Sequence, residues 1–142
     1  SDCPLIDPEV IDKVVGNFLT FDDDYVANIL DERTYPRGLD VEVFSFKTLK
    51  KIWEVAVSKE DKEHVTIYIR KNSKFFKTKN VKHDKDYSFH RWTLDEKDDY
   101  EFLKAVYKNL YHKNQNFGME EIITFLLQNP KIIKINQNVK QK

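Results

Sequence analysis

The spacing of apolar residues along this chain switches repeatedly between two periods, and that switching limits the fold more than any other feature. After Asp7-Pro8, Val10, Ile11, Val14, Val15 and Phe18 recur at helical spacing. Aspartate serves there as N-cap and proline fits the first helical position. The acidic run Asp22, Asp23, Asp24 reads as a solvated turn, and Tyr25 to Leu30 as a short strand. Beyond Pro36-Arg37-Gly38, Leu39, Val41 and Val43 alternate with Asp40, Glu42 and Phe44. This is a strand period, and it sets Asp40 and Glu42 on one face, roughly 7 Å apart. Helical spacing returns at Leu49, Ile52, Trp53 and Ala56, and a shorter helical stretch covers Val65 to Arg70. Phe75 to Val81 is expected as a strand at a sheet edge. His90 to Asp95 is expected as another, with Arg91, Thr93 and Asp95 facing one way and Trp92 and Leu94 the other. A long helix follows, with Leu103, Val106, Tyr107 and Leu110 as its buried stripe. Met119 to Leu127 forms the last helix, opened by Gly118 with Glu121 three residues on and ended by Asn129-Pro130. The tail, Ile132 to Lys142, is polar and lysine-rich after Ile135 and is expected along the surface. Strands alternating with helices predict an α/β layered domain; the strand order stays open.

Three glycines and four prolines punctuate 142 residues, with no internal repeat or low-complexity linker. The length suits one ordinary domain. Basic and acidic residues balance at 24 each, so no long-range field draws in nucleic acid or an anionic membrane surface. No apolar run approaches the ~20 residues that span a bilayer. The one cysteine, Cys3, cannot form an internal disulfide; this suits a reducing compartment, and a cytoplasmic location is expected. Cys3 is read as a small side chain in a turn.

Two residues stand where α/β sheets place ligands. Asp2 precedes the first helix, and Asp95 ends the His90–Asp95 segment just before the long helix. Two carboxylates at strand-to-helix junctions suit magnesium, which takes a few hard oxygen ligands and keeps waters or substrate phosphates for the rest. Helix capping is the competing reading for both. His83, His90 and His112 lack the paired spacing of a zinc site and are read as structural. No G-x-S-x-G elbow or Cys/His pair points to hydrolase chemistry.

Four stretches occur in a telling order: SDCPLIDPEVID (residues 1–12), YPRGLDVEVFS (35–45), EHVTIYI (63–69) and RWTLDEKDDYEF (91–102). Together with the ending NFGMEEIITFLLQNP…KINQNVKQK they resemble the spore coat polysaccharide biosynthesis protein F family. That family belongs to the acylneuraminate cytidylyltransferase group, relatives of the enzymes that make CMP-sialic acid and CMP-KDO. The resemblance spans essentially residues 1–142. It implies the carboxy-terminal part of a single domain, a partial three-layer nucleotide-diphospho-sugar transferase-like sheet lacking its amino-terminal nucleotide-binding strands. The family's opening loop, of the type ARMGSTRLPGK, has no counterpart in this sequence. On that ground the chain is expected to be a truncated or proteolysed piece with negligible activity alone.

The resemblance further implies roles for single residues. Asp2 matches the acidic residue of the D-x-P motif and Asp95 the aspartate of T-L-D-T-P-E-D, both magnesium ligands. In such enzymes the sugar hydroxyl attacks the α-phosphorus of CTP and pyrophosphate leaves. Arg37, Asp40 and Glu42 match P-R-G-L-D-V-E and are expected to line the pocket of the acceptor sugar acid, with a salt-bridged surface strand as the alternative. His64 matches the histidine of H-V-T-P-Y-I, with a helix cap or core position as the alternative, and Arg91 is expected to share the cleft of Asp95. Ile67 and Glu96-Lys97-Asp98 depart from the family pattern, which has proline and Thr-Pro-Glu there. The expected partners are CTP and a sugar acid, with a homodimer as assembly. A dimerisation fragment without catalysis and a nucleotide-sugar-dependent glycosyltransferase are the competing classes.

Overall fold

The structure is a computed structural model that describes residues 2–30, 32–64 and 66–140. Ser1, Val65 (the expected start of a helix) and the last two residues of the tail lie outside them. The fold is mixed α/β, as the alternating periods predict. It packs as two compact units: one contains Thr34–Asp40 with the stretches up to Val10 and from Asp84 onward, the other Ile11–Arg33 and Val41–His83. Helix α1 (Pro8–Thr20) starts in the first and continues into the second.

The second unit carries the sheet. Strands β1 (Tyr25–Ala27), β2 (Glu42–Phe44) and β3 (Thr78–Asn80) lie in the order β2-β1-β3. β1 runs antiparallel to β2, with Tyr25 opposite Phe44, and parallel to β3, with Tyr25 opposite Thr78. The central strand is fully buried, as its Tyr-Val-Ala sequence allows. Helices α2 (Phe46–Val55), α3 (Lys59–Glu63) and α4 (Ile67–Lys71) complete the unit. Ser45 and Ser58 cap α2 and α3 by accepting from the amides of Thr48 and Asp61. Tyr25, Ala27, Ile52, Ala56, Ile69 and Phe76 form one buried cluster.

The first unit is built on helices α5 (Lys97–Leu110), α6 (Met119–Gln128) and α7 (Pro130–Ile133). Phe102, Leu103, Val106 and Leu110 of α5 are buried, as are Met119, Ile122, Ile123 and Leu126 of α6. Asp7 joins two helix starts: its Oδ1 accepts from Glu9 N at 2.7 Å and its Oδ2 from Met119 N at 2.6 Å. One carboxylate thus meets two positive helix ends. A Cβ at Gly118 would stand 2.7 Å from that Oδ2, which is why the N-cap of α6 has no side chain.

Three expectations are corrected. The strand expected from Leu39 shrinks to Glu42–Phe44, because at Val41 the chain bonds to the buried side chain of Asn28, whose Oδ1 accepts from Val41 N. His90–Asp95 forms no strand; one parallel pairing, Arg37 with Arg91, is its share of β structure. The tail is no surface strap throughout: α7 follows Asn129-Pro130 directly, and Asn136 is buried. Helix α3, polar on every side, has no apolar period by which to be seen in sequence.

Candidate functional site

Three extended segments lie side by side in the first unit. Arg37 N donates to His90 O at 3.0 Å, Trp92 N to Arg37 O at 2.7 Å, and Leu94 N to Asp2 O at 2.7 Å. The Pro36-Arg37-Gly38 break makes this approach possible. Gly38 has φ +100, and a Cβ there would lie 2.7 Å from the carbonyl carbon of Trp92. Both conditions exclude a side chain. Trp92, fully buried, anchors the middle segment.

Downstream of that anchor a polar network fixes Asp95. Arg91 is buried, and its guanidinium grips Asp99 with two parallel bonds, Nε to Oδ1 at 2.9 Å and Nη2 to Oδ2 at 3.0 Å. Nη2 also donates to Asp95 Oδ2 at 2.6 Å. Asp99 further accepts from the amides of Asp95 and Glu96, both at 3.1 Å, and from Asn136 Nδ2 at 2.9 Å. Burial alone raises the pKa of Asp99, but the bonds from Arg91, Asn136 and the two amides outweigh it and hold the carboxyl below its usual range. Arg91 is pushed up, chiefly by its bond to Asp99. The result is a rigid start to α5, with Asp95 held at its mouth and partly open to solvent.

The segments that carry the two expected metal ligands run side by side. The backbone bond from Leu94 to Asp2 places Asp2 beside the residue that precedes Asp95. Both side chains belong to exposed residues. Their joint field registers on Cys3: burial raises the thiol pKa, and the negative charges of Asp2, Asp40 and Asp95 add to it. Cys3 is thus a protonated thiol among carboxylates and not an activated nucleophile. Among the described residues no three His, Cys, Asp or Glu side chains gather closely enough to cage a metal. The donor set fits a hard cation that takes two carboxylates and leaves its other positions to water or phosphate.

The remaining expected residues divide between the units. Arg37 pairs with Arg91 in parallel register and is half-buried; Asp40 is exposed and close enough to act on Cys3. Glu42 lies in β2, where its Oε2 accepts from Tyr25 OH at 2.5 Å. Burial first, and this bond second, push the Tyr25 pKa far up. His64 is exposed at the end of α3, where its amide closes the helix on Glu60 O. Arg91 is bound to Asp99 and Asp95, so it orients a ligand instead of lying free for one. Asp99 and Asn136 are the residues that sequence reasoning missed. Asp99 had a signal, since Glu96 and Asp99 stand three apart at a helix start. Asn136 had none.

A cavity of about 300 Å³ opens in this unit, lined by Arg37, Ser88, Phe89, His90, Gln137 and Val139 together with Arg91. His90 is buried, and desolvation lowers its pKa to about 4, so it is neutral at physiological pH.

Comparison with known proteins gives three matches. The chain is 36% identical over 144 residues to a protein of Methanocaldococcus jannaschii described as uncharacterized, covering 100% of this chain and 57% of the relative. It is 30% identical over 133 residues to the spore coat polysaccharide biosynthesis protein SpsF of Bacillus subtilis, covering 92% of this chain and 53% of the relative. Among solved structures it superposes on a cytidylyltransferase from Leptospira borgpetersenii with a TM-score of 0.88 and 31% identity, over 99% of this chain and 58% of that one. The chain thus spans somewhat over half the length of the proteins it matches. No protein-family model matches it.

Proposed function

Since this chain belongs to the cytidylyltransferase family over the span it shares with those relatives, we propose that it forms the cation-binding and acceptor side of a nucleotidyltransferase. The reaction in this reading passes a cytidylyl group from CTP to a sugar acid, releasing pyrophosphate, in the synthesis of a surface or spore-coat polysaccharide. The observation that supports it is the Leu94–Asp2 backbone bond, which sets the Asp2 segment beside the one that carries Asp95. Both carboxylates would hold a magnesium ion, which when bound offsets phosphate charge during an in-line displacement.

The chain's own residues supply positioning. Asp99 fixes Arg91, and Arg91 fixes one oxygen of Asp95 at 2.6 Å. The other oxygen is left to the cation. A ligand held this way needs no reorganisation when the substrate arrives. Asp2 is fixed through its backbone, and its carboxylate accepts from the Cys3 thiol beside it. Trp92 and Gly38 keep the acceptor-side segment pressed against the middle one.

Among the described residues no helix is long and apolar enough to cross a membrane. The homodimer expectation draws support from large apolar side chains left exposed on the sheet-bearing unit, Phe46, Trp53 and Phe75 among them. Sedimentation equilibrium tests it.

The test of the function has two parts. Manganese binding to the 142-residue chain, read by electron paramagnetic resonance, is expected to weaken in Asp95→Asn and in Asp2→Asn. Pyrophosphate release from CTP, magnesium and a panel of sugar acids is expected from the polypeptide that carries this sequence, and to fall at least about a hundredfold in either variant. Release that both variants leave unchanged rules out the assignment of the two aspartates. Absence of release with every nucleotide and every sugar acid tried rules out the reaction.

A further inference from the structure

Beyond α6 the chain is held by tight turns and one buried side chain. Ile132 N donates to Asn129 O at 2.9 Å, Ile135 N to Ile132 O at 3.1 Å, and Val139 N to Asn136 O at 3.1 Å. Among the described residues from Asn129 onward, Ile132, Ile133, Ile135 and Val139 are half-buried, and the one buried residue is the polar Asn136. A tail that served only to cover apolar surface would bury its isoleucines and turn its amide outward. Here the reverse holds. Burying a primary amide costs free energy unless its groups are bonded, so the place of Asn136 is decided by its partners.

Those partners are two parts of one device. Asn136 Nδ2 carries two N–H groups. It donates to Arg91 O at 2.8 Å and to Asp99 Oδ1 at 2.9 Å. Asp99 is the carboxylate that grips the guanidinium of Arg91, and Arg91 Nη2 reaches Asp95 Oδ2 at 2.6 Å. The amide thus ties the main chain of residue 91 to the carboxylate that holds the same residue's side chain. With both ends of Arg91 fixed, the Asp95 oxygen that it holds is fixed too. Loss of Asn136 takes one of two donors from Asp99 Oδ1 and the side-chain partner from the Arg91 carbonyl.

We propose that Asn136 is a positioning residue for Asp95, acting through Asp99 and Arg91, so that the tail is part of the site and not a cover over it. That Asp95 ligates a cation is taken from the nucleotidyl-transfer reading; the positioning of its carboxylate stands apart from that reading. Groups that orient a metal ligand cost about 10- to 100-fold in metal affinity when removed. Asn136 acts one bond further back, so the lower end of that range is expected.

The test uses the 142-residue chain. Asn136→Leu keeps the volume and removes both donors; Asn136→Ser keeps one donor on a smaller side chain and serves where Asn136→Leu does not fold. Amide hydrogen exchange, read by NMR, is the first measurement. The Asp95 and Glu96 amides donate to Asp99 Oδ2, while the Met119 amide donates to Asp7 Oδ2 at the start of α6 in the same unit. In either variant exchange at Asp95 and Glu96 is expected to speed up at least about tenfold, with Met119 within about twofold of the parent chain. Manganese affinity, read by electron paramagnetic resonance, is the second. Either variant is expected to weaken it about tenfold in the parent chain and by less than about twofold in Asp95→Asn, because a residue that acts through Asp95 has nothing to act on there.

Uniform acceleration that includes Met119, or exchange at Asp95 and Glu96 left unchanged, reduces the tail to general stabilisation and overturns the proposal. Equal weakening of manganese binding in both backgrounds overturns action through Asp95. Manganese binding that needs Asp95 yet ignores position 136 also overturns the proposal, and leaves the cation reading intact. The expected exchange pattern in a chain that binds no manganese supports the positioning and removes the cation reading instead.

Discussion

The two units of this chain are held together by different means. In the sheet-bearing unit a three-stranded ladder and one apolar cluster around Tyr25, Ile52 and Phe76 provide the cohesion. Outside that cluster the unit leaves Leu19, Phe46, Trp53, Val57 and Phe75 largely exposed. The Asp95-bearing unit has a helical apolar core too, but its helix starts are organised by buried polar groups. Asp99 takes bonds from Arg91, Asn136 and two amides, and Asp7 takes bonds from two helix starts. Apolar contacts are forgiving, since side chains of similar volume substitute for one another. A saturated buried carboxylate is not forgiving, because each partner depends on the others and a half-satisfied network is worse than none. Specific geometry is therefore concentrated around Asp99 and Asp7, and general cohesion where the sheet is.

The sharpest way to break this contrast is Asp99→Ala. Arg91 would remain buried without the carboxylate that grips it with two bonds, and removal of one partner from a buried ion pair costs about 3–5 kcal/mol. Ile52→Val in the other unit removes one methylene from the apolar cluster and is expected to cost about 1 kcal/mol. Urea denaturation of both variants checks the pair. Equal losses would mean that the polar network carries no special weight.

Next in size is a dependence on pH. His90 is buried and neutral, with its pKa lowered by desolvation from 6.5 to about 4. Between these values the unfolded chain binds a proton that the folded chain refuses. Stability from this residue is therefore complete above pH 6.5 and is lost as pH falls toward 4, by up to about 3 kcal/mol. His90→Asn is expected to flatten that part of the stability profile. A slope unchanged by the substitution would place its origin elsewhere.

Gly38→Ala is expected to cost about 1–3 kcal/mol, since φ +100 and a Cβ 2.7 Å from the Trp92 carbonyl carbon both oppose a side chain. This position also shows what the sequence makes legible. Pro-Arg-Gly announces a break, and Asp7-Pro8, Gly118 and Asn129-Pro130 mark helix ends where the structure has them, because capping is local chemistry. The periodic helices α1, α2, α5 and α6 were readable for the same reason: each carries its own apolar stripe. Asp2 and Asp95 were readable as candidates from their place before helices. What stayed hidden depends on partners far away in sequence. Asn136 bonds to residues 45 and 37 positions back, and nothing near it marks it as buried. Glu42 has the residue type of a sugar ligand, but its partner, the Tyr25 hydroxyl, lies 17 residues upstream on a paired strand. The His90–Asp95 segment alternates like a strand in sequence yet finds a single ladder partner, and its burial does not alternate, since His90, Arg91 and Trp92 are all buried and Leu94 is exposed.

The smallest expected effect tests the other side of the contrast. Trp53 is 71% exposed on α2, with the Lys62 ammonium 6.0 Å from its ring as its one charged neighbour among the described contacts. At that distance, in solvent, a cation–π contact is worth about 0.5–1 kcal/mol at most. Tryptophan and serine have similar helix propensities, so exchanging them should leave α2 intact. Trp53→Ser is accordingly expected to change stability by no more than about 0.5 kcal/mol in the isolated chain. The value of the variant is that it separates two meanings of an exposed indole. A near-zero change shows that the side chain contributes nothing to the fold, so any reason for keeping it lies outside intramolecular packing. A loss above about 2 kcal/mol is what truncating a buried aromatic brings. Such a loss would mean that the exposed face is covered in solution, and that the sheet-bearing unit is as dependent on specific contacts as the network around Asp99.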